Sequence, residues 1–269
     1  MKTPTVADMI RIMADIAPPV LAEEWDNCGL QVGDDRWPSA RIRIALDPSW
    51  TVVETACRQQ ADLLITHHPL IFRPLKKLDF ATPVGQVIRQ ATYHQMAIFS
   101  AHTNLDSVAD GVNDVLFEKL GLTHRSVLMP NSHRPSEGLG RVGKIDTETD
   151  LSSFADAIRK QLALPFVRFV GDPNLPVRKV AICGGSGSGL LEIFWNSDAD
   201  VFVTGDIRYH DARDAEALNR GLIDIGHFSS EFIILDVLQH KIRQALSTAG
   251  FEAETAVCRV EKDPFVAVH

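Results

Sequence analysis

The sequence predicts an α/β protein made of two related halves. Short apolar runs of strand length alternate with stretches of helical periodicity. Several of those runs end abruptly in a histidine or a carboxylate. Segments of the first half also match segments of the second in the same order, the mark of an internal repeat. At 269 residues the chain has room for one large domain or two small ones.

Thr5-x-x-Asp8 is a capping-box pattern, and Met9, Ile10, Met13 and Ile16 follow on one helical face. A helix is therefore expected over residues 5–16, closed by Pro18-Pro19. Residues 24–33 read as a loop entering a short apolar strand. Residues 42–46 are β-branched and stop at Asp47-Pro48, and residues 50–60 have helical spacing with Val53, Ala56 and Cys57 on the buried stripe. Residues 63–65 form a second apolar run that breaks into Thr66-His67-His68-Pro69. Strand, helix, strand is a βαβ unit, and open α/β sheets bind ligands outside the C-terminal strand ends. A helix over 84–94 and a strand over 97–100 come next, the strand ending in Ala101-His102-Thr103-Asn104-Leu105-Asp106. Residues 111–120 suggest a further helix, with Gly121 at its C′ position.

Residues 129–140 are rich in Pro, Ser, Gly and Asn and read as a loop. The division drawn beside it assigns residues 1–125 to a first lobe and 126–269 to a second. In the second lobe, helices are expected over 151–162, 190–196, 212–219 and about 232–248, and strands over 167–170, 179–183, 201–203 and 222–225. The last three strands end in Gly184-Gly185-Ser186-Gly187-Ser188-Gly189, Thr204-Gly205-Asp206 and Gly226-His227-Phe228-Ser229-Ser230-Glu231. The glycine stretch sits where a phosphate could meet a helix N-terminus. It lacks the Lys-Ser/Thr of a P-loop and the spacing of a dinucleotide fingerprint, so a tight strand-to-helix turn is the expectation.

The repeat is explicit. Ile44-Ala45-Leu46-Asp47 falls on Ile182-Cys183-Gly184-Gly185, and Ala61 to His68 falls on Ala199 to Asp206, at a shared offset of 138. Ile98 to His102 with Asp106 falls on Ile223 to His227 with Glu231 at an offset of 125. Its simplest meaning is two α/β halves related by a pseudo-dyad, with equivalent strand ends meeting near the axis.

Composition excludes several classes. Hydrophobic residues at 45% and charged residues at 23% are ordinary globular values, which rules out disorder, collagen and coiled coil. A net charge of −8 argues against a nucleic-acid partner. With no apolar targeting segment and no run of 18 apolar residues, a cytoplasmic protein with no membrane partner is expected. Cys28, Cys57, Cys183 and Cys258 form no CxxC, which excludes a zinc ribbon and a thioredoxin motif. They are expected to be reduced, small buried hydrophobes.

Ten histidines are the unusual feature. His67, His68, His102 and His227 lie directly after apolar strands, and Asp106 and Glu231 follow two of them by four residues. Histidine with carboxylate and no cysteine is the ligand set of Zn, Mn, Fe or Mg sites. Adjacent histidines on a strand project to opposite faces, but both can turn into one cavity once the strand has broken into loop. Six side chains are many for one ion that must keep room for chemistry, so two metals sharing bridging carboxylates fit better, with hydrolysis as the natural reaction class. His94, His124, His133, His210, His240 and His269 have no such context and are read as surface residues; His210 is the least settled of them because it follows Asp206.

Taken in order, Trp25-Asp26-Asn27-x-Gly29-Leu30, Thr66-His67-His68-Pro69, His102-Thr103-Asn104-Leu105-Asp106, Gly138-Leu139-Gly140-Arg141-x-Gly143, Gly184-Gly185-x-Gly187, Thr204-Gly205-Asp206 and Gly226-His227-x-x-x-Glu231 resemble the NIF-three-like proteins, also known as type 2 GTP cyclohydrolase I homologs. The resemblance runs from about residue 5 to Asp263-Pro264-Phe265 and leaves no space for the middle insertion that some members carry. It implies two intertwined pseudo-symmetric α/β lobes with mixed sheets and flanking helices, assembled as a toroidal homohexamer. It implies two divalent metal ions per chain, held by His67, His68, Asp106, His227 and Glu231, with Asp106 and Glu231 as bridges. His102 also matches, as ligand, supporting group or general acid/base, and is the candidate catalytic residue. The family name implies GTP ring opening, in which water attacks C8 of guanine and formate leaves; the substrate is then a small molecule, a nucleotide. The alternative is a non-enzymatic metal-binding hexameric ring, a metal chaperone or interaction scaffold, since the motifs identify ligands and no purine pocket.

Overall fold

Two mixed β-sheets, each flanked by helices, organise the computed structural model, which describes residues 2–266. In chain order the first elements are α1 (Val6–Ile16), β1 (Gly29–Val32), β2 (Arg41–Ala45), α2 (Trp50–Arg58), β3 (Leu63–Thr66), α3 (Pro83–Tyr93), β4 (Ala97–Ser100), α4 (Thr103–Ser107) and α5 (Val112–Lys119). Then come β5 (Thr123–Pro130), β6 (Gly138–Asp150), α6 (Leu151–Gln161), β7 (Arg168–Val170), β8 (Pro176–Ser186), α7 (Leu191–Trp195), β9 (Val201–Gly205) and α8 (Tyr209–Ala217). The chain closes with β10 (Gly221–Asp224), α9 (His227–Glu231), α10 (Ile234–Thr248) and β11 (Glu254–Val257). No helix among the described residues is long and apolar enough to cross a membrane.

The first compact unit holds the chain up to Leu105 and from Ile234 onward. Its sheet has the order β1-β4-β3-β2-β11, with β11, β2, β3 and β4 parallel and β1 antiparallel on the edge. The three inner strands, β4, β3 and β2, are almost wholly buried, which is why β3 and β4 read as short apolar runs. The α2 stripe of Val53, Ala56 and Cys57 packs with Leu64, Val87, Ala91 and Ile98 as expected. Burying an aliphatic side chain of this size contributes on the order of 1.5–3 kcal/mol. Helix α1 carries the expected capping box, with Thr5 and Asp8 bonded reciprocally.

The second unit runs from Asp106 to Ile233. Its sheet has the order β5-β6-β8-β9-β10-β7, with β8, β9 and β10 parallel and the other three antiparallel to their neighbours. The loop expected at 129–140 is shorter than that. Residues 131–137 join β5 to β6, and the flanking residues are paired strand. Edge strand β5 opens on the exposed polar residues His124, Arg125 and Ser126, and its apolar run is only Val127-Leu128-Met129.

The contacts divide the chain elsewhere than between 125 and 126. Strand β11 pairs in parallel with β2 and α10 packs beside α1, so the last thirty-odd residues belong with the first unit. The helix expected from about 232 to 248 is α10, and the short α9 precedes it, separated by Phe232 and Ile233.

The internal repeat is present in both sheets. The series β2-α2-β3-α3-β4 with β1 antiparallel beside β4 corresponds to β8-α7-β9-α8-β10 with β7 antiparallel beside β10. Ile44 pairs with Ile65 and Ile65 with Phe99; Ile182 pairs with Val203 and Val203 with Ile223. The first two strands therefore match at the offset of 138 read from the sequence. The third matches as Phe99 to Ile223, one residue short of the 125 that relates the histidine motifs. Ala101 and Ile225 donate equivalently to Thr66 and Thr204, so the extra residue is Gly226, whose φ of 80° suits glycine.

Candidate functional site

In the first unit three imidazoles converge past the ends of adjacent parallel strands. The N–H groups of His67 and His68 continue the ladder to Ala45 O and Leu46 O after β3 has ended. The break lets both rings turn to one side: their centroids are 5.0 Å apart, and His102 lies 5.3 Å from His67 and 5.5 Å from His68. Each ring offers a nitrogen within 4.8 Å of the others.

What lies behind each ring decides which nitrogen faces inward. His67 Nδ1 donates to Ala101 O at 2.9 Å, and a carbonyl can only accept, so the proton resides on Nδ1 and Nε2 keeps its lone pair. His68 Nδ1 is 2.8 Å from Asp47 Oδ1 and His102 Nδ1 is 2.9 Å from Asp26 Oδ1. Ionised carboxylates also only accept, so the same tautomer follows for both. This is the arrangement that orients histidines for a metal.

Asp26 is the anchor of this half. Its side chain is fully buried, and Oδ2 accepts from Thr103 N at 3.0 Å and Thr103 Oγ1 at 2.5 Å. Burial alone would raise its pKa, but the hydrogen bond and charge of His102, with the Thr103 hydroxyl and Cys28 thiol, hold it well below the usual carboxylate range. Cys28 departs from the expectation of four buried hydrophobes. It is half-buried, its thiol lies 3.1 Å from both Asp26 Oδ2 and Asn104 Oδ1, and burial followed by the Asp26 contact pushes it up to about 12. Glu261 holds the Asp47 turn by accepting from Leu46 N at 2.8 Å and Asp47 N at 2.7 Å.

The second unit supplies oxygens and a fourth imidazole. His227 opens α9 and Glu231 stands one turn later on the same side, with Nε2 to Oε2 at 3.1 Å. His227 Nδ1 is 2.8 Å from Asp206 Oδ2, so this ring stands between two carboxylates. Glu231 is buried, and an Asp106 oxygen lies within 4.8 Å of one of its own. Burial, then the negative charges of Asp106 and Glu231, push the Cys183 thiol far up, which keeps it neutral.

The glycine stretch explains how Glu231 fits. Strand β8 continues through Ser186 and passes into a single 3-10 turn, so no phosphate loop forms. Gly185 has φ +60°, and a Cβ there would stand 2.0 Å from Glu231 Oε1 and 3.2 Å from His227 Nε2. Its N–H donates to Ser230 Oγ, which in turn donates to His227 O. Asn113 links Asp106 to the same cradle, donating to Asp106 O at 3.0 Å and accepting from Gly184 N at 3.0 Å. Arg141, buried and paired with Asp114, donates to the Ser107 and Val108 carbonyls at the end of α4 and so fixes the turn that carries Asp106.

The structure thus gathers His67, His68 and His102 in one unit and Asp106, His227 and Glu231 in the other. The donor set is nitrogen and oxygen only, with lone pairs presented, and suits a divalent metal ion. Sequence reasoning missed Asp26 and Asp47 and left Asp206 undecided. Asp47 carried a signal, because it follows β2 as His68 follows β3. His94, His124, His133, His210 and His240 are exposed as expected, and His269 lies outside the described residues.

A family model described as Duf34/NIF3 (NGG1p interacting factor 3) matches residues 4–264. A Clostridium perfringens protein named GTP cyclohydrolase 1 type 2 homolog is 36% identical over 259 residues, which cover 96% of this chain and 97% of that one. A Clostridium acetobutylicum protein of the same name is 33% identical over 261 residues, 97% of each. The crystal structure of a Bacillus cereus protein related to NIF3 matches with a TM-score of 0.94 at 25% identity, covering 100% of both chains.

Proposed function

The chain belongs to the Duf34/NIF3 family, and from that premise we propose that it is a hydrolase dependent on two divalent ions, Zn, Mn, Fe or Mg, held by His67, His68, Asp106, His227 and Glu231. The observation that carries the proposal is shared by all four histidines. His67, His68, His102 and His227 each engage a main-chain or carboxylate oxygen through Nδ1, which fixes how each ring is turned. The cradle at Gly185 supports it independently, since any side chain there would displace the Glu231 carboxylate. Divalent ions bound there supply Lewis acidity for hydrolysis.

The chain's own groups set the rest. Asp26 keeps a proton on His102 Nδ1, so His102 Nε2 is the atom that takes up and returns a proton as general acid/base. The thiols of half-buried Cys28 and buried Cys183 are pushed up and stay neutral, and so do not compete as ligands. We further propose a small-molecule substrate, with opening of a purine nucleotide ring in the manner named for the relatives as the reaction to test first. A homohexamer is the proposed assembly, supported by the exposed Leu75, Leu78 and Phe80 before α3. The free cysteines suit a cytoplasmic setting.

Metal analysis of protein purified without chelator tests the first claim. About two equivalents per chain are expected, and fewer than about 0.2 would remove the basis for it. Incubation with GTP and Mn or Zn, followed by formate detection, tests the substrate; no formate with any of several metals refutes that assignment. Light scattering tests the assembly, with about six times the 29.7 kDa chain mass expected.

A further inference from the structure

Trp25 and Phe72 are large aromatic residues that the first unit leaves in the open, 58% and 49% exposed. Their rings meet edge to face at 5.8 Å and 60°, and both stand beside His102, with centroids at 6.1 and 6.4 Å. Rings of this kind usually bury about 150–250 Å² each, so leaving two of them at a surface forgoes a large stabilisation.

The surroundings hold them in place. Asn27 Nδ2 donates to Ile71 O at 2.6 Å, across 44 residues of chain, and Ile71 N donates to Gln31 Oε1 at 3.2 Å. Gln31 Nε2 donates back to Asn27 O at 2.7 Å. The segment carrying Trp25 is thereby tied to the residue before Phe72. Asp26, between Trp25 and Asn27, is itself bonded to His102 and Thr103. Asn27, Gln31 and Asp26 together fix the two exposed rings relative to His102, which a chance surface exposure does not require. Neither the metal ligands nor the proton at His102 calls on Trp25 or Phe72.

We propose that Trp25 and Phe72 form a stacking corner that takes the flat face of a planar heteroaromatic substrate ring and sets it beside His102. An aromatic side chain stacks on any π-face, so the corner selects for planarity and leaves the polar edge of the ring free for other groups. The inference rests on the reading of the chain as a hydrolase of a small molecule, and it adds the residues that hold the substrate's ring.

The test is isothermal titration of the full chain with guanosine, adenosine and a free pterin, with inorganic triphosphate as a probe lacking a ring. It is run on metal-loaded and on chelator-stripped protein. At least one ring is expected to bind, with Trp25→Leu and Phe72→Leu each weakening it about tenfold, Trp25→Tyr retaining most of the affinity, and triphosphate indifferent to all three. Tyr93→Ser, which removes an exposed ring on α3, leaves ring binding unchanged. The proposal is overturned if no ring binds the wild-type chain, or if both leucine variants bind rings as the wild type does. It is also overturned if Trp25→Leu alters only the mass seen by light scattering, which would give the corner to a second copy of the chain. Failure of the hydrolase reading looks different: no metal and no formate, with ring binding still sensitive to Trp25.

Discussion

Oδ1 of Asp26 lies 2.9 Å from Nδ1 of His102, while its Oδ2 takes both the N–H and the hydroxyl of Thr103. One buried carboxylate thus sets the tautomer of a site histidine and the position of the turn that follows it. Asp26→Asn is expected to lower divalent-metal affinity or metal-dependent activity by about 10- to 100-fold. It is also expected to cost about 1–3 kcal/mol of stability, because a buried acceptor is replaced by an amide that meets donors. Competition titration with a chromophoric chelator checks the first figure and urea unfolding the second. Affinity within twofold of wild type would detach Asp26 from the site.

The capping box of α1 predicts a specific acid response. Thr5 N–H donates to Asp8 Oδ2 at 2.8 Å, and this bond is the largest influence lowering the Asp8 pKa below 3.8, against the opposing effect of burial. A group whose folded pKa is depressed stabilises fully above its unfolded value and loses that contribution as pH falls through the folded one. Unfolding free energy of the wild type therefore declines from about pH 5 to pH 3, and Asp8→Asn, less stable at neutral pH, declines less over the same window. Parallel pH curves for the two proteins would contradict this.

Gly185 predicts loss of metal without loss of the sheet. A methyl group at that position collides with Glu231 Oε1, and φ +60° strains any L side chain. Gly185→Ala should retain its far-ultraviolet circular dichroism while its metal content falls by more than half. Wild-type metal content in Gly185→Ala would exclude Glu231 as a ligand.

Arg141 predicts a large stability effect. It is 2% exposed, pairs with the buried Asp114 and caps α4. Removing one member of a buried pair costs about 3–5 kcal/mol, whereas replacing both by apolar groups of similar volume costs far less. Arg141→Met should fall in that range by urea unfolding, and Arg141→Met/Asp114→Leu should recover part of it. Arg125 still pairs with Asp114 in the single variant, so a double variant no more stable than the single would show that the α4 carbonyls, and not the buried carboxylate, carry the cost.

Legibility in the sequence followed locality. The capping box at Thr5 and Asp8 and the runs of β2, β3 and β4 were readable because their causes lie within a few residues. Strand β5 was not, since its first half is polar and exposed and is held by backbone pairing to β6. The return of β11 to β2 has no local trace at all. At the site, the histidines and carboxylates stood out because they end strands, whereas Asp26 acts on a histidine 76 residues away. Gly185 looked like a turn residue because the reason for it, the Glu231 carboxylate, lies in a different element.

Anomalous scattering from a crystal of chelator-free protein tests the central claim most directly. Anomalous peaks are expected about 2.0–2.1 Å from Nε2 of His67, His68 and His227. Histidines lacking any such peak, or peaks lying against Nδ1, would contradict it.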